Sequence, residues 1–137
     1  MTEFISHSVT DTEKFAKEFA KKLKSGDVLA LNGEMGAGKT AFVRGLAEGL
    51  SLTGEVCSPT YSIINEYGGE IPLFHFDMYR IVDADSVYST GFFDYLDMDG
   101  IVVVEWSENI LWAMPEDTIT VLIEKLSEDE RKLSYWV

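Results

Sequence analysis

Eight consecutive residues carry the strongest chemical signal in the chain. Gly33-Glu34-Met35-Gly36-Ala37-Gly38-Lys39-Thr40 fits G-x-x-x-x-G-K-[ST], the phosphate-binding loop. The spacing has a physical purpose. Glycines let backbone N–H groups turn inward around phosphate oxygens that side chains would otherwise obstruct. Lys39 can neutralise β- and γ-phosphates, and the Thr40 hydroxyl can ligate Mg²⁺. A helix beginning at this point aims its positive end at the same anion. The residues expected to hold a nucleoside triphosphate are Gly33, Glu34, Met35, Gly36, Ala37, Gly38, Lys39, Thr40 and Ala41.

Such a loop needs an acid at the end of a neighbouring strand to hold Mg²⁺ or its waters. Glu105 directly follows the apolar run Ile101-Val102-Val103-Val104, and Asp77 follows Leu73-Phe74-His75-Phe76. Both runs read as strands that aim an acid at the end where α/β proteins bind ligands. Glu105 is assigned to the metal because its strand reads as the more central. Asp77 is then the candidate to orient or deprotonate an attacking water, with a plain helix cap or solvated strand end as the bland alternative for each acid. His75 reads as a hydrogen-bonded structural histidine in preference to a catalytic one, on its strand position. No N-K-x-D motif accompanies the loop. Asp97-Met98-Asp99-Gly100 precedes a strand instead of following one and reads as a turn, so ATP is favoured over GTP. Only Arg44, Arg80 and Arg131 are available for the arginine-rich lid of a small-metabolite kinase.

The elements that must position these groups follow from periodicity. Thr10-Asp11-Thr12-Glu13 has the form of a capping box. Phe15, Phe19 and Leu23, with Ala16 and Ala20, form the apolar face of a helix that Gly26 ends. The lysines of that helix read as a solvated face. Val28-Leu29-Ala30-Leu31 reads as a strand buried on both faces, and Thr40 to Leu50 as the helix after the glycine-rich turn. Tyr61 to Tyr67 and Ile71 to Phe76 flank Gly68-Gly69 as a hairpin. Asp77 to Gly91 reads as irregular, Phe92 to Leu96 as a short helix and Ile101 to Val104 as a strand. A short helix ends at Pro115, Thr118 to Ile123 reads as a strand, and Lys132 to Val137 pairs back after a turn at Ser127 to Glu130. Together these predict one α/β domain over 1–137. Its expected fold is the three-layer P-loop NTPase fold, with a mixed, mainly parallel sheet and antiparallel hairpins.

Composition limits the partners. The chain of 137 residues carries 24 acids against 11 Lys and Arg, a net of −13. Residues 1–57 are nearly neutral at −1, and residues 58–137 hold −12. That balance argues against direct binding of bare nucleic acid or an anionic membrane. The single cysteine, Cys57, excludes an intrachain disulfide and reads as a small buried filler. With no apolar run of spanning length and no signal-like start, the expected location is the cytoplasm.

Four stretches together resemble the TsaE (YjeE) ATPases of bacterial tRNA threonylcarbamoyladenosine synthesis. They are G-E-M-G-A-G-K-T (33–40), S-P-T-Y (58–61), H-F-D-M-Y-R (75–80) and V-E-W (104–106). The resemblance implies a small Mg-ATPase that works with TsaB and TsaD, its hydrolysis supporting repeated cycles of the complex. By motif it places Thr60 in a switch-like loop near the γ-phosphate, Asp77 close to the reacting phosphate, and Glu105 on Mg²⁺. Thr12 matches a family position near the base. Tyr79 and Arg80 are left between partner or phosphate contact and a structural ion pair, and Trp106 between core and partner contact. The alternatives are a small-metabolite kinase and a nucleotide-dependent interaction switch with little turnover.

Overall fold

The protein is described by a computed structural model covering residues 1–34, 36–52 and 64–136. In chain order its elements are β1 (Thr2–Ser6), α1 (Val9–Ala20), β2 (Val28–Asn32), α2 (Lys39–Gly49), β3 (Ile64–Tyr67), β4 (Leu73–Asp77), α3 (Ala84–Ser89), α4 (Phe92–Leu96), β5 (Ile101–Glu105), β6 (Ile119–Lys125) and β7 (Arg131–Trp136). A 3₁₀ stretch over Ser107–Ala113 joins β5 to β6, kinked at Ile110. Met35 and Thr60 lie outside the described residues, as do Cys57 and the Tyr61–Ile63 part of the expected hairpin.

The continuous apolar runs become the middle of a seven-stranded sheet ordered β1-β7-β6-β2-β5-β4-β3 among the described residues. The four central strands β6, β2, β5 and β4 are parallel to one another. The antiparallel pairs β1–β7, β7–β6 and β3–β4 finish the two sides. This is the expected mixed α/β sheet, with β5 more central than β4.

Strand alternation divides the sheet's side chains between two cores. Leu29, Leu31, Ile101, Val103, Val121 and Ile123 face α1 and α2, where Phe19, Phe42 and Leu46 are buried. Val28, Phe74, Phe76, Val102 and Val104 face the other way, onto Val87, Phe92 and Ile110. The result is three layers. Among the described residues no helix is long and apolar enough to cross a membrane.

Helices α1 and α2 lie unusually close. A Cβ at Gly45 would stand 2.3 Å from the Glu13 carbonyl oxygen, and one at Gly49 would stand 2.6 Å from that of Lys17. Ala16 and Ala20 meet the same two glycines. These small residues allow the contact that seats α2, and hence Lys39, against the sheet.

Three local readings change. The cap of α1 is Ser8, not Thr10: Ser8 is extended at φ −165, and its hydroxyl accepts from the Asp11 N–H at 3.0 Å. Asp11 in turn accepts from the N–H of His7, the residue before the cap, at 2.9 Å, a variant of the reciprocal box in which the back-bond reaches one residue further. The helix also stops at Ala20, and Gly26, at φ 98, turns the chain into β2 instead. Finally, β1 and α3 form in segments that carry little periodic signal; α3 buries only Val87.

Candidate functional site

The glycine-rich turn leaves β2 and enters α2 through backbone that only glycine adopts at low cost. Gly38 caps α2 at φ 106, and Gly33 has φ 154 with its would-be Cβ 2.7 Å from the Ile123 carbonyl oxygen. Lys39 is the first residue of α2 and is nearly buried, at 9% exposure. Thr40 is half-buried, and Ala37 and Ala41 are buried beneath the turn.

Opposite Lys39, the central strands end in acids. The β4–β5 register pairs Asp77 with Glu105, so both carboxylates leave the same face of the sheet, the one covered by α2. Glu105 divides its oxygens. Oε1 lies 3.4 Å from Lys39 Nζ, and Oε2 lies 2.5 Å from His75 Nε2. Burial pushes the Glu105 carboxyl up, but the His75 hydrogen bond and charge, reinforced by Lys39, outweigh it and hold the group below the ordinary glutamate range. An ionised carboxylate can only accept, so His75 donates through its Nε2–H. The structural histidine expected from sequence is therefore the buried partner of the chief acid. Its Nδ1 is buried with no hydrogen-bond partner among the described residues.

Asp77 is half-buried, and its Oδ1 accepts from the Tyr79 N–H at 3.0 Å, which fixes the chain as it leaves β4. Trp106 follows Glu105 in left-handed backbone (φ 61), rare for a bulky residue. Its half-buried ring lies 5.2 Å from Lys39 Nζ and 4.8 Å from the Tyr79 ring, so it walls the site as well as joining the core. Arg80 is exposed beside this wall.

Lys39, Glu105, His75 and Asp77 are thus brought together, with Thr40 one residue beyond Lys39. Thr12 is not: it is buried at the β1–α1 junction, its hydroxyl 2.7 Å from that of Ser6. Three supporting residues escaped the sequence reading. Asn109 donates to the Met78 carbonyl at 2.9 Å and Ser107 donates to Asn32 Oδ1 at 3.3 Å, tying the 3₁₀ stretch to the chain just past β4 and to the end of β2. Arg131, at the start of β7, donates to the loop itself, through Nε to the Ala37 carbonyl at 2.9 Å. No short-range pattern announces such contacts, which span up to 94 positions in sequence.

A cavity of about 440 Å³ opens beside the first loop residues, between Asn32, Gly33, Trp106 and the Leu122–Lys125 end of β6. Glu34, Glu108 and Glu124 outnumber its one cation, Lys125, the wrong sign for a polyanion. An anion is better received at the amide-rich turn, where the α2 N-terminus and Lys39 supply positive potential.

This geometry sits within a chain whose residues 6–133 match the family model for the threonylcarbamoyl adenosine biosynthesis protein TsaE. The chain belongs to the TsaE family. It is 40% identical to TsaE of Bacillus subtilis over 91% of its own length and 78% of that protein. With TsaE of Aquifex aeolicus it shares 40% identity over 97% of this chain and 94% of the relative. The crystal structure of Bacillus subtilis YdiB is similar in fold, with a TM-score of 0.83 and 35% identity, covering 98% of this chain and 83% of that one. Membership ties the chain to tRNA threonylcarbamoyladenosine biosynthesis. Of the four stretches that carry the family resemblance, 33–40, 75–80 and 104–106 converge on the site just described, with Met35 outside the described residues. Stretch 58–61 lies wholly outside them.

Proposed function

We propose that the chain is a Mg²⁺-dependent ATPase that acts with TsaB and TsaD in tRNA threonylcarbamoyladenosine synthesis, its hydrolysis supporting repeated cycles. One observation carries this reading: a lysine at a glycine-capped helix start faces an ionised, buried glutamate at the end of the neighbouring central strand. That pairing suits a triphosphate bridged to the protein through a divalent cation.

The donor set fits Mg²⁺. Among the described residues no three His, Cys, Asp or Glu side chains gather into a self-sufficient metal cage. Mg²⁺ does not need one, since it keeps several waters and takes one or two carboxylates plus substrate phosphates. Glu105 and the Thr40 hydroxyl would hold it, and it would supply charge neutralisation on the phosphate oxygens.

The chain's own residues then divide the work. The loop amides from Gly33 to Thr40, with Ala41 behind them, cradle the phosphates. Lys39 exchanges its Glu105 partner for phosphate oxygens and stabilises the charge that builds as water attacks the γ-phosphorus. Asp77, paired in register beside Glu105, orients that water and accepts its proton, aided by Thr60. His75 keeps Glu105 ionised and aimed. Thr12, by family position, supports the region near the base.

The test is reconstitution with TsaB, TsaD, tRNA and ATP. Wild-type chain is expected to sustain many modification cycles with release of free phosphate, and Lys39→Ala to stop after the first. Undiminished cycling with the variant, or without the chain, would overturn the reading.

A further inference from the structure

Arg131 is the one strand residue outside the site that reaches back into the glycine-rich turn among the hydrogen bonds described. Arg131 is half-buried as a residue, and its guanidinium bonds go to backbone carbonyls of two separate segments. Nε donates to the Ala37 oxygen at 2.9 Å, and Nη2 reaches the Gly36 oxygen at 3.4 Å. Nη1 donates to Ser127, Glu128 and Glu130 at 2.9, 3.1 and 3.0 Å. One planar group therefore clips the β6–β7 turn to the outer lip of the loop.

The consequence follows from peptide planarity. A carbonyl and the N–H of the next residue point in opposite directions across a trans peptide. Fixing the Ala37 carbonyl on the guanidinium therefore fixes the Gly38 N–H on the opposite side, beside the first amides of α2. Gly38, at φ 106, would otherwise be among the freest residues of the loop. We propose that Arg131 is a positioning residue for the phosphate cradle, holding the loop amides in their anion-receiving orientation before ligand arrives. This rests on the ATPase reading above and deepens it, because the site would then depend on a strand of the opposite sheet half.

Arginine suits this task and lysine does not. The guanidinium offers five donors in a rigid fork that can serve turn and loop together, whereas an ammonium is a point donor on a flexible stem. Arg131 spends its donors on the backbone, Nε and Nη1 on short carbonyl contacts and Nη2 on the Gly36 carbonyl at 3.4 Å. Its effect on the anion is exerted through the backbone it holds.

Titration of the full chain with Mg-ATP, and separately with inorganic tripolyphosphate, tests this. A preorganisation loss of about tenfold in affinity is expected for Arg131→Ala, equal for both ligands because the cradle and not the base site is loosened. Arg131→Lys keeps the charge and is expected to lose affinity within about twofold of Arg131→Ala. It also decides the matter if the alanine variant does not fold. Saturating ATP should restore kcat while KM stays raised, since Lys39, Asp77 and Glu105 are untouched. Ser127→Ala, which loosens the turn but leaves the guanidinium's carbonyl partners in place, should bind like wild type.

Wild-type affinity in Arg131→Ala, or full rescue by Arg131→Lys, would overturn the proposal while leaving the ATPase reading intact, with Lys39→Ala as the non-binding control. If the wild-type chain binds neither ligand, the ATPase reading fails and the positioning role fails with it.

Discussion

Glu105 is held by two donors with different destinies. In the ATPase reading proposed above Lys39 leaves for the phosphate, whereas His75 is fully buried and stays on Glu105. Replacing Glu105 with glutamine keeps the volume but points an N–H₂ group at one of the two donors. A donor facing a donor in a buried site leaves both unsatisfied, at about 1–3 kcal/mol. Glu105→Gln is therefore expected to lower urea-unfolding stability by that amount, and to slow ATP turnover about a hundredfold through loss of the cation-holding charge. Equal stability would mean that the His75 contact is immaterial, and equal turnover would move the metal to Asp77. Sequence showed the acids, because each follows an apolar run. It did not show that His75 and Glu105 touch, because which strands become neighbours is set by tertiary packing and not by local pattern. The Arg131 contact was hidden for the same reason.

At the level of elements, the loop is only as well placed as α2. That helix is pressed on α1 at Gly45 and Gly49, where the neighbouring atoms are backbone oxygens and methyl groups that cannot swing aside. Gly45→Ala adds about 1 kcal/mol of helix propensity but inserts a methyl 2.3 Å from the Glu13 carbonyl oxygen. Overpacking of this kind costs about 1–3 kcal/mol and should win, because the helices must separate to relieve it. Thermal unfolding is expected to fall in temperature, with nucleotide affinity weakened as Lys39 shifts; a Tm equal to wild type would show that the helices part at no cost. The elements legible beforehand were those with strong periodicity or full burial, such as β2, β5 and the two long helices. β1 was not, since an edge strand with one buried residue, Ser6, has no apolar run to announce it. The α1 cap is not legible locally because both Ser8 and Thr10 are good capping types, and the extended backbone and accepted Asp11 N–H that single out Ser8 exist only in the fold.

Charge belongs to the molecule as a whole. Residues 81–124 contain ten acids and no Lys, Arg or His. These residues form α3, α4, β5, the 3₁₀ stretch and most of β6, so the layer opposite α1 and α2 is built from a segment that brings acids and no cations of its own. Glu105 accounts for one of those acids at the site, and the others that are exposed extend the field outward. A protein of this charge gains nothing from counterion release on a polyanion. It is expected to show no saturable binding to bare tRNA at about 0.15 M salt, even though its family serves tRNA modification. The same field should speed encounter with a basic patch on a protein partner, and such steering is lost as salt shortens the Debye length. Raising salt from about 0.05 to about 0.5 M should then slow association with the partners proposed above, TsaB and TsaD, about tenfold or more, while dissociation changes far less. Stopped-flow mixing measures both rates. An association rate that stays flat across this range would reduce the acidic layer to a solvating coat, and a tRNA complex formed without the partners would contradict the electrostatic argument at its root.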